Sequence, residues 1–120
     1  MSKIISLHGN TTSLILASKD ADLPQIVYWG GSLKLSEAEE QQLLTQLVRP
    51  VPQAFLDEDV PLTLVPLWGN GGFQLNALSG CSNGKNWAPQ FKKIISLVST
   101  ESSLTVCALD EQSELELKIN

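Results

Sequence analysis

Residues Ile94–Ile119 read IISLVSTESSLTVCALDEQSELELKI, and this stretch decides the fold class. Apolar and β-branched runs at Ile94–Ser99, Leu104–Leu109 and Leu115–Ile119 alternate with short polar segments. The last run repeats Glu-Leu-Glu-Leu-Lys-Ile, the period-2 pattern of a strand with one face buried and the other in water. Three short strands are expected here.

The same texture appears at the other end of the chain. Ile4-Ile5 and Thr12–Ala17 flank Gly9-Asn10 and read as a hairpin, and Gln25–Trp29 reads as a third strand closed by Gly30-Gly31. Between the two strand groups the period changes. Ser36-Glu37-Ala38-Glu39 has the form of a capping box, in which Ser36 accepts from the backbone N–H three residues on while Glu39 reaches back. Leu43, Leu44, Leu47 and Val48 follow on one helical face and Pro50 stops the run, which predicts one short helix over 36–48. Its Glu and Gln residues read as a solvated outer face.

Pro50, Pro52, Pro61 and Pro66 punctuate the next segment, where Leu62–Val65 reads as a short edge strand. Trp68-Gly69-Asn70-Gly71-Gly72-Phe73 is a glycine-rich loop between aromatic residues, and strand character resumes over Gln74–Ser79. Asn83-Gly84 predicts a tight turn, because both residues tolerate positive φ, joining a strand that ends near Cys81 to one that begins near Trp87. Strands thus recur about every ten residues, the spacing of a sandwich. The expected fold is an all-β antiparallel sandwich, a single domain over 1–120, with one short helix. The final strand runs to Ile119 with one residue after it, so the chain is expected to be the N-terminal part of a longer one.

Composition narrows the function classes. The formal net charge is −5 and the eight Lys and Arg are scattered, with Lys92-Lys93 the one adjacent pair, so nucleic acid is not an expected partner. A neutral ligand such as a sugar suits an acidic surface better. Cys81 and Cys107, one His and no CxxC give no metal-ligand spacing, and no cofactor is expected. Two small buried thiols in a reducing, cytoplasmic setting are preferred to a disulfide, since no secretion signal is visible after Met1-Ser2-Lys3. No apolar run approaches the ~20 residues of a membrane span.

Catalytic arrangements are hard to assemble. His8 lies between Leu7 and Gly9, and neither Ser6 nor Ser13 stands out as a nucleophile, so a surface or turn histidine is expected. Asp57-Glu58-Asp59 offers carboxylates, but retaining glycosidase chemistry fixes two carboxyls ~5 Å apart across a sugar, which adjacency does not supply. No lysine and no helix follow Gly69, Gly71 and Gly72, so the phosphate-loop and dinucleotide patterns both fail. Aromatic faces stack on sugar rings, which makes Trp68 and Phe73 candidate ligand contacts. On residue type alone these two, with Trp29 and Trp87, read first as core anchors.

The order of parts in Val60–Phe91, VPLTLVPLWGNGGFQLNALSGCSNGKNWAPQF, resembles the N-terminal domain of bacterial α-galactosidases of glycoside hydrolase family 36. An apolar strand, an aromatic-Gly-x-Gly loop, a strand, an Asn-Gly hairpin and Trp-x-Pro-x-Phe follow in turn. Cys107-Ala108-Leu109-Asp110 and Leu115-Glu116-Leu117 are similar to later strands of that domain. The resemblance covers residues from about 60 to 118.

It implies a longer β-sandwich ahead of a catalytic barrel that carries both catalytic aspartates, and a homo-oligomer. In it a loop corresponding to Trp68–Gln74 helps line a neighbouring subunit's sugar pocket. Many members place an acidic residue, an aromatic and an arginine after the loop glycines, where this chain has Gly72, Phe73 and Gln74. Only Trp68 and Phe73 carry over, as substrate-binding candidates for α-galactosides. The expected role is therefore non-catalytic: support of the barrel and of assembly in a glycoside hydrolase. A free-standing carbohydrate-binding module and a structural interaction module are the alternatives.

Overall fold

The computed structural model describes residues 2–19, 22–47, 60, 62–70 and 75–120. Six strands and one helix lie within them. Strands β1 (Ser2–His8), β2 (Thr12–Lys19) and β3 (Gln25–Gly31) form one antiparallel meander. Helix α1 (Glu37–Leu47) follows, and β4 (Lys93–Ser99), β5 (Leu104–Asp110) and β6 (Leu115–Ile119) form a second. The expected all-β sandwich class is what the structure shows.

The two sheets face each other through their central strands. In β5, Leu104, Val106 and Ala108 are buried while Thr105, Cys107 and Leu109 are half-buried, the alternation that the sequence pattern requires. Those inward residues join Ile5 and Leu16 of the first sheet, together with Leu23, Leu67 and Phe91, in one apolar cluster. His8 N–H donates to the Glu101 carbonyl at 2.8 Å, tying the end of β1 to the β4–β5 turn.

Strand β2 is covered on both faces, so its buried residues run from Ser13 to Ser18 with only Leu14 half-exposed. Ser6 lies opposite Ile15 in the β1–β2 register, and its hydroxyl donates to the Glu40 carboxylate of α1. The Ser6–Ile15 face therefore looks toward the helix while the Ile5–Leu16 face looks toward the second sheet. Helix, sheet and sheet make three layers. A register shift at Ile15/Leu16, and another at Ile94/Ser96, bend the edge strands β3 and β4 relative to their neighbours.

The helix begins where the capping box predicts, with a change in detail. The Glu39 carboxylate accepts from both Ser36 N–H and Ser36 Oγ–H, each at 2.8 Å, so the hydroxyl donates to the carboxylate rather than accepting from the backbone. These bonds hold the Glu39 carboxyl below its ordinary range. Leu43 and Leu44 are half-buried, as the helical spacing predicts.

The middle of the chain departs from expectation. Leu62–Val65 is not a strand: Thr63 makes one bridge with Gln25, supported by Ile26 N–H to Leu62 O at 2.6 Å and Leu64 N–H to Pro24 O at 3.3 Å. Pro61 and Pro66 bracket the segment, and residues without an N–H cannot extend a ladder. Residues 75–79 are irregular, with Leu75 exposed and Ala77 N–H donating to Pro66 O at 2.8 Å, while Gln74 lies outside the described residues. The Asn83-Gly84 turn forms with φ of 52° and 71°, the left-handed pair of a tight hairpin turn. It closes only the Ser82–Lys85 bridge, without the flanking strands.

Candidate functional site

A cleft of about 140 Å³ opens where three loops meet. Its floor is apolar: Leu23 after β2, Leu67 ahead of the 3₁₀ turn Trp68–Asn70, and Phe91 ahead of β4, all buried members of the core cluster. Its rim carries Asp22, Gln25, Thr63, Asn70, Gln90 and Lys92. Core packing thus fixes the floor, and the polar groups stand where each loop leaves the core.

The rim is braced by ordinary backbone chemistry. Thr63 is paired with Gln25, and its hydroxyl donates to Val65 O at 3.1 Å. Asn70 N–H donates to Leu67 O at 3.1 Å, closing the turn, and Asn70 Nδ2 reaches Thr63 Oγ1 only at 3.5 Å. A Cβ built on Gly69 would stand 3.1 Å from Gln90 Nε2, so the Gln90 amide lies directly over this glycine.

Asp110 holds the third wall. At the inward end of β5 it is buried, yet it accepts from Gln90 N–H at 3.3 Å, Gln112 N–H at 3.0 Å and Ser113 Oγ–H at 2.6 Å. Burial pushes its carboxyl up, and the hydrogen bonds from Ser113, Gln112 and Gln90 outweigh that and hold it below the ordinary aspartate range. One carboxylate thereby fastens the segment leading into β4 and the β5–β6 turn. Sequence reasoning passed over Thr63, Asn70, Gln90 and Asp110, because only folding brings them together. The one local hint was Gln90, a polar residue inside Trp87-Ala88-Pro89-Gln90-Phe91.

Trp68 sits between two residues that line the cleft and is 70% exposed. The expectation of a core anchor is corrected for it and for Trp29 and Trp87, which are 76% and 67% exposed. Among the described residues the apolar core is built from aliphatic side chains and Phe91, and the indoles lie on the surface. Phe73, the other substrate-binding candidate, lies outside the described residues, as do Gly71, Gly72 and Asp57-Glu58-Asp59.

The histidine also differs from expectation. His8 is half-buried at the end of β1, with Nδ1 3.0 Å from the hydroxyl of its register partner Ser13. That hydroxyl is buried and engages Leu33 as well, accepting from its N–H at 3.0 Å and contacting its carbonyl at 3.3 Å. Ser13 is a clamp between β2 and the segment leading to α1, closed to a substrate. Among the described residues, no group of three His, Cys, Asp or Glu could hold a metal ion, and no helix is long and apolar enough to cross a membrane. Cys81 and Cys107 are free thiols, but the expectation that both are buried is corrected: Cys81 is exposed, because no strand forms around it, and Cys107 is half-buried on the outer face of β5.

No family model matches the chain, and no solved structure matches it. A curated α-galactosidase from Escherichia coli is 31% identical to it over 117 residues. That alignment takes in 98% of this chain and 16% of the relative, so the chain is similar throughout its length to a small part of an α-galactosidase.

Proposed function

We propose that this chain is the non-catalytic N-terminal domain of an α-galactosidase of glycoside hydrolase family 36, acting to support a catalytic barrel and subunit assembly in the cytoplasm. The observation that carries the reading is the alignment: nearly all of the chain matches 16% of an α-galactosidase. That leaves most of such an enzyme to carry the chemistry. The exposed surface supports the same role. Trp29, Leu62, Leu75, Trp87, Ile95 and Val98 are large apolar side chains left uncovered, surface that further domains would bury.

The test is an assay of the purified chain with a chromogenic α-galactoside, beside the same assay on the full-length parent. The expected outcome is aglycone release by the parent and none by the chain. Turnover by the pure chain would overturn the proposal. Removing this segment from the parent is expected to lower its thermal midpoint and disturb its oligomeric state. A parent that stays intact without the segment counts against the support role. A carbohydrate-binding module is the second reading, favoured by the exposure of all three tryptophans.

A further inference from the structure

We infer that the outer edge of β6 is a pairing surface for a second copy of this chain, which adds its own β6 antiparallel about a two-fold axis at Leu117. The inference deepens the assembly part of the proposed reading, and it concerns a different surface from the Trp68–Gln74 loop.

Among the described residues the two sheets end in four edge strands, β1, β3, β4 and β6. Three of them are engaged or bent. His8 at the end of β1 already donates its N–H to Glu101 O, and β3 carries the Gln25–Thr63 bridge. The register shift at Ile94/Ser96 interrupts β4. Strand β6 pairs with β5 in an unbroken register from Leu115 to Ile119, so its other side presents a regular row of backbone N–H and C=O groups.

The sequence of β6, Leu-Glu-Leu-Lys-Ile, is complementary to itself. With the axis at Leu117, Glu116 stands opposite Lys118 of the partner subunit and Lys118 opposite Glu116 of the partner subunit. Opposite charges directly across an antiparallel pair stabilise it. Moving the axis to Glu116 or to Lys118 sets that residue against its own copy. Placing it between residues opposes the Leu115–Leu117–Ile119 face to the charged face. In-register parallel pairing puts like charge against like.

The side chains are placed for this register. Leu117 and Ile119 pack against the core, yet Leu115 on the same face is 45% exposed. Across the axis Ile119 of the partner subunit lies opposite Leu115, so the apolar face continues from one copy into the next. Glu116 and Lys118 are exposed on the other face. Among the described residues they have no ion-pair partner, whereas Lys93 and Glu111 of the same sheet meet at 2.6 Å. An edge of five residues buries less than the ~1,200 Å² of a stable complex, so the dimer is weak and concentration-dependent.

The experiment is sedimentation equilibrium of the whole chain from about 10 µM to about 1 mM, the range in which weak association is read, with amide hydrogen exchange beside it. The chain is expected to pass from monomer to dimer, gaining protection in Leu115–Ile119 and none in Lys93–Ser99. Glu116→Lys and Lys118→Glu each turn both cross-strand pairs into like charges, and each is expected to weaken the dimer about tenfold. Mixed in equal amounts, the two variants regain opposite charges at both pairs and are expected to form a heterodimer of wild-type strength. The double variant with both exchanges is expected to dimerise like the wild type. Both positions are exposed, so unchanged urea midpoints at low concentration show that the variants remain folded.

A chain that stays monomeric to the highest concentration overturns the proposal. A dimer indifferent to both single exchanges, single variants that do not recover on mixing, or protection gained in β1, β3 or β4 instead does the same. None of these results touches the domain reading, which stands or falls on the parent's activity and stability.

Discussion

The sheet β4–β5–β6 and the described part of residues 60–91 are similar in apolar content but differ in how they use it. In β5 every second residue is buried, and Val106 and Ala108 are fully enclosed. In the loop segment only Leu67, Pro89 and Phe91 are buried, while Leu62, Trp68, Leu75, Leu78 and Trp87 face outward. Hydrophobicity alone does not place a residue inside; it must recur at the period of an element that has a partner layer. The loop segment reaches the core through single residues, and its polar neighbours gather at the cleft between them.

The sharpest way to break this comparison is to truncate one leucine from each region. Leu16 is fully buried on β2 between the sheets, and Leu16→Ala is expected to cost about 3 kcal/mol, from lost transfer energy and the cavity left behind. Leu75 is 93% exposed, and Leu75→Ala should leave the denaturation midpoint unchanged within about 0.5 kcal/mol. Equal effects in urea denaturation would mean that the loop region packs as tightly as the sheets.

Asp110 is the joint between the two regions, so its replacement comes next in size. Asp110→Asn replaces a charged acceptor of three hydrogen bonds by an amide that cannot serve all of them, and about 1–2 kcal/mol should be lost at neutral pH. The sign of the pH dependence follows from the lowered carboxyl pKa. The unfolded chain binds this proton more readily, so the stabilisation is fully present above the ordinary aspartate range and disappears as pH falls through the folded value. Denaturation from pH 7 downward should therefore show the wild type approaching the variant in acid. A gap that stays constant in acid would deny the carboxylate its role.

The Asn83-Gly84 turn gives a smaller effect. A β-branched side chain at a φ of 71° is strained, and Gly84→Val is expected to cost about 1 kcal/mol. The consequence is local, since the turn closes only the Ser82–Lys85 bridge. Loss of amide protection at Lys85 with a small change in global midpoint is the expected signature. Global unfolding would show that the turn nucleates more structure than one bridge.

Legibility followed the same divide. All six strands and the helix were readable, because alternation in Glu114–Ile119 and the 3.6-residue spacing of Leu43, Leu44 and Leu47 are local signals. The Gln25–Thr63 bridge was not, since its partners are far apart in sequence and prolines shorten one side to a single pair. The cleft was hidden for the same reason: Gln25 opens β3, Thr63 and Asn70 lie in the segment 62–70 and Gln90 stands just ahead of β4, and Asp110, which positions one of them, looks like any strand-end acid. Of the two aromatic candidates, Trp68 proved to stand beside the cleft, and Phe73 falls outside the described residues. Residue type identifies an aromatic side chain, but whether another layer covers it depends on the whole fold.

Trp87 tests that last point at the smallest scale. A tryptophan after a hairpin turn would ordinarily be worth several kcal/mol in a core, yet this one is 67% exposed and no strand precedes it over the described residues 75–81. Trp87→Ala in the isolated chain is therefore expected to shift stability by less than about 0.5 kcal/mol. In the full-length parent the same substitution reports on the proposed interface. A loss there with none in the isolated chain would place the indole against another domain. A large loss in the isolated chain would instead return Trp87 to the core and erase the contrast between sheet and loop.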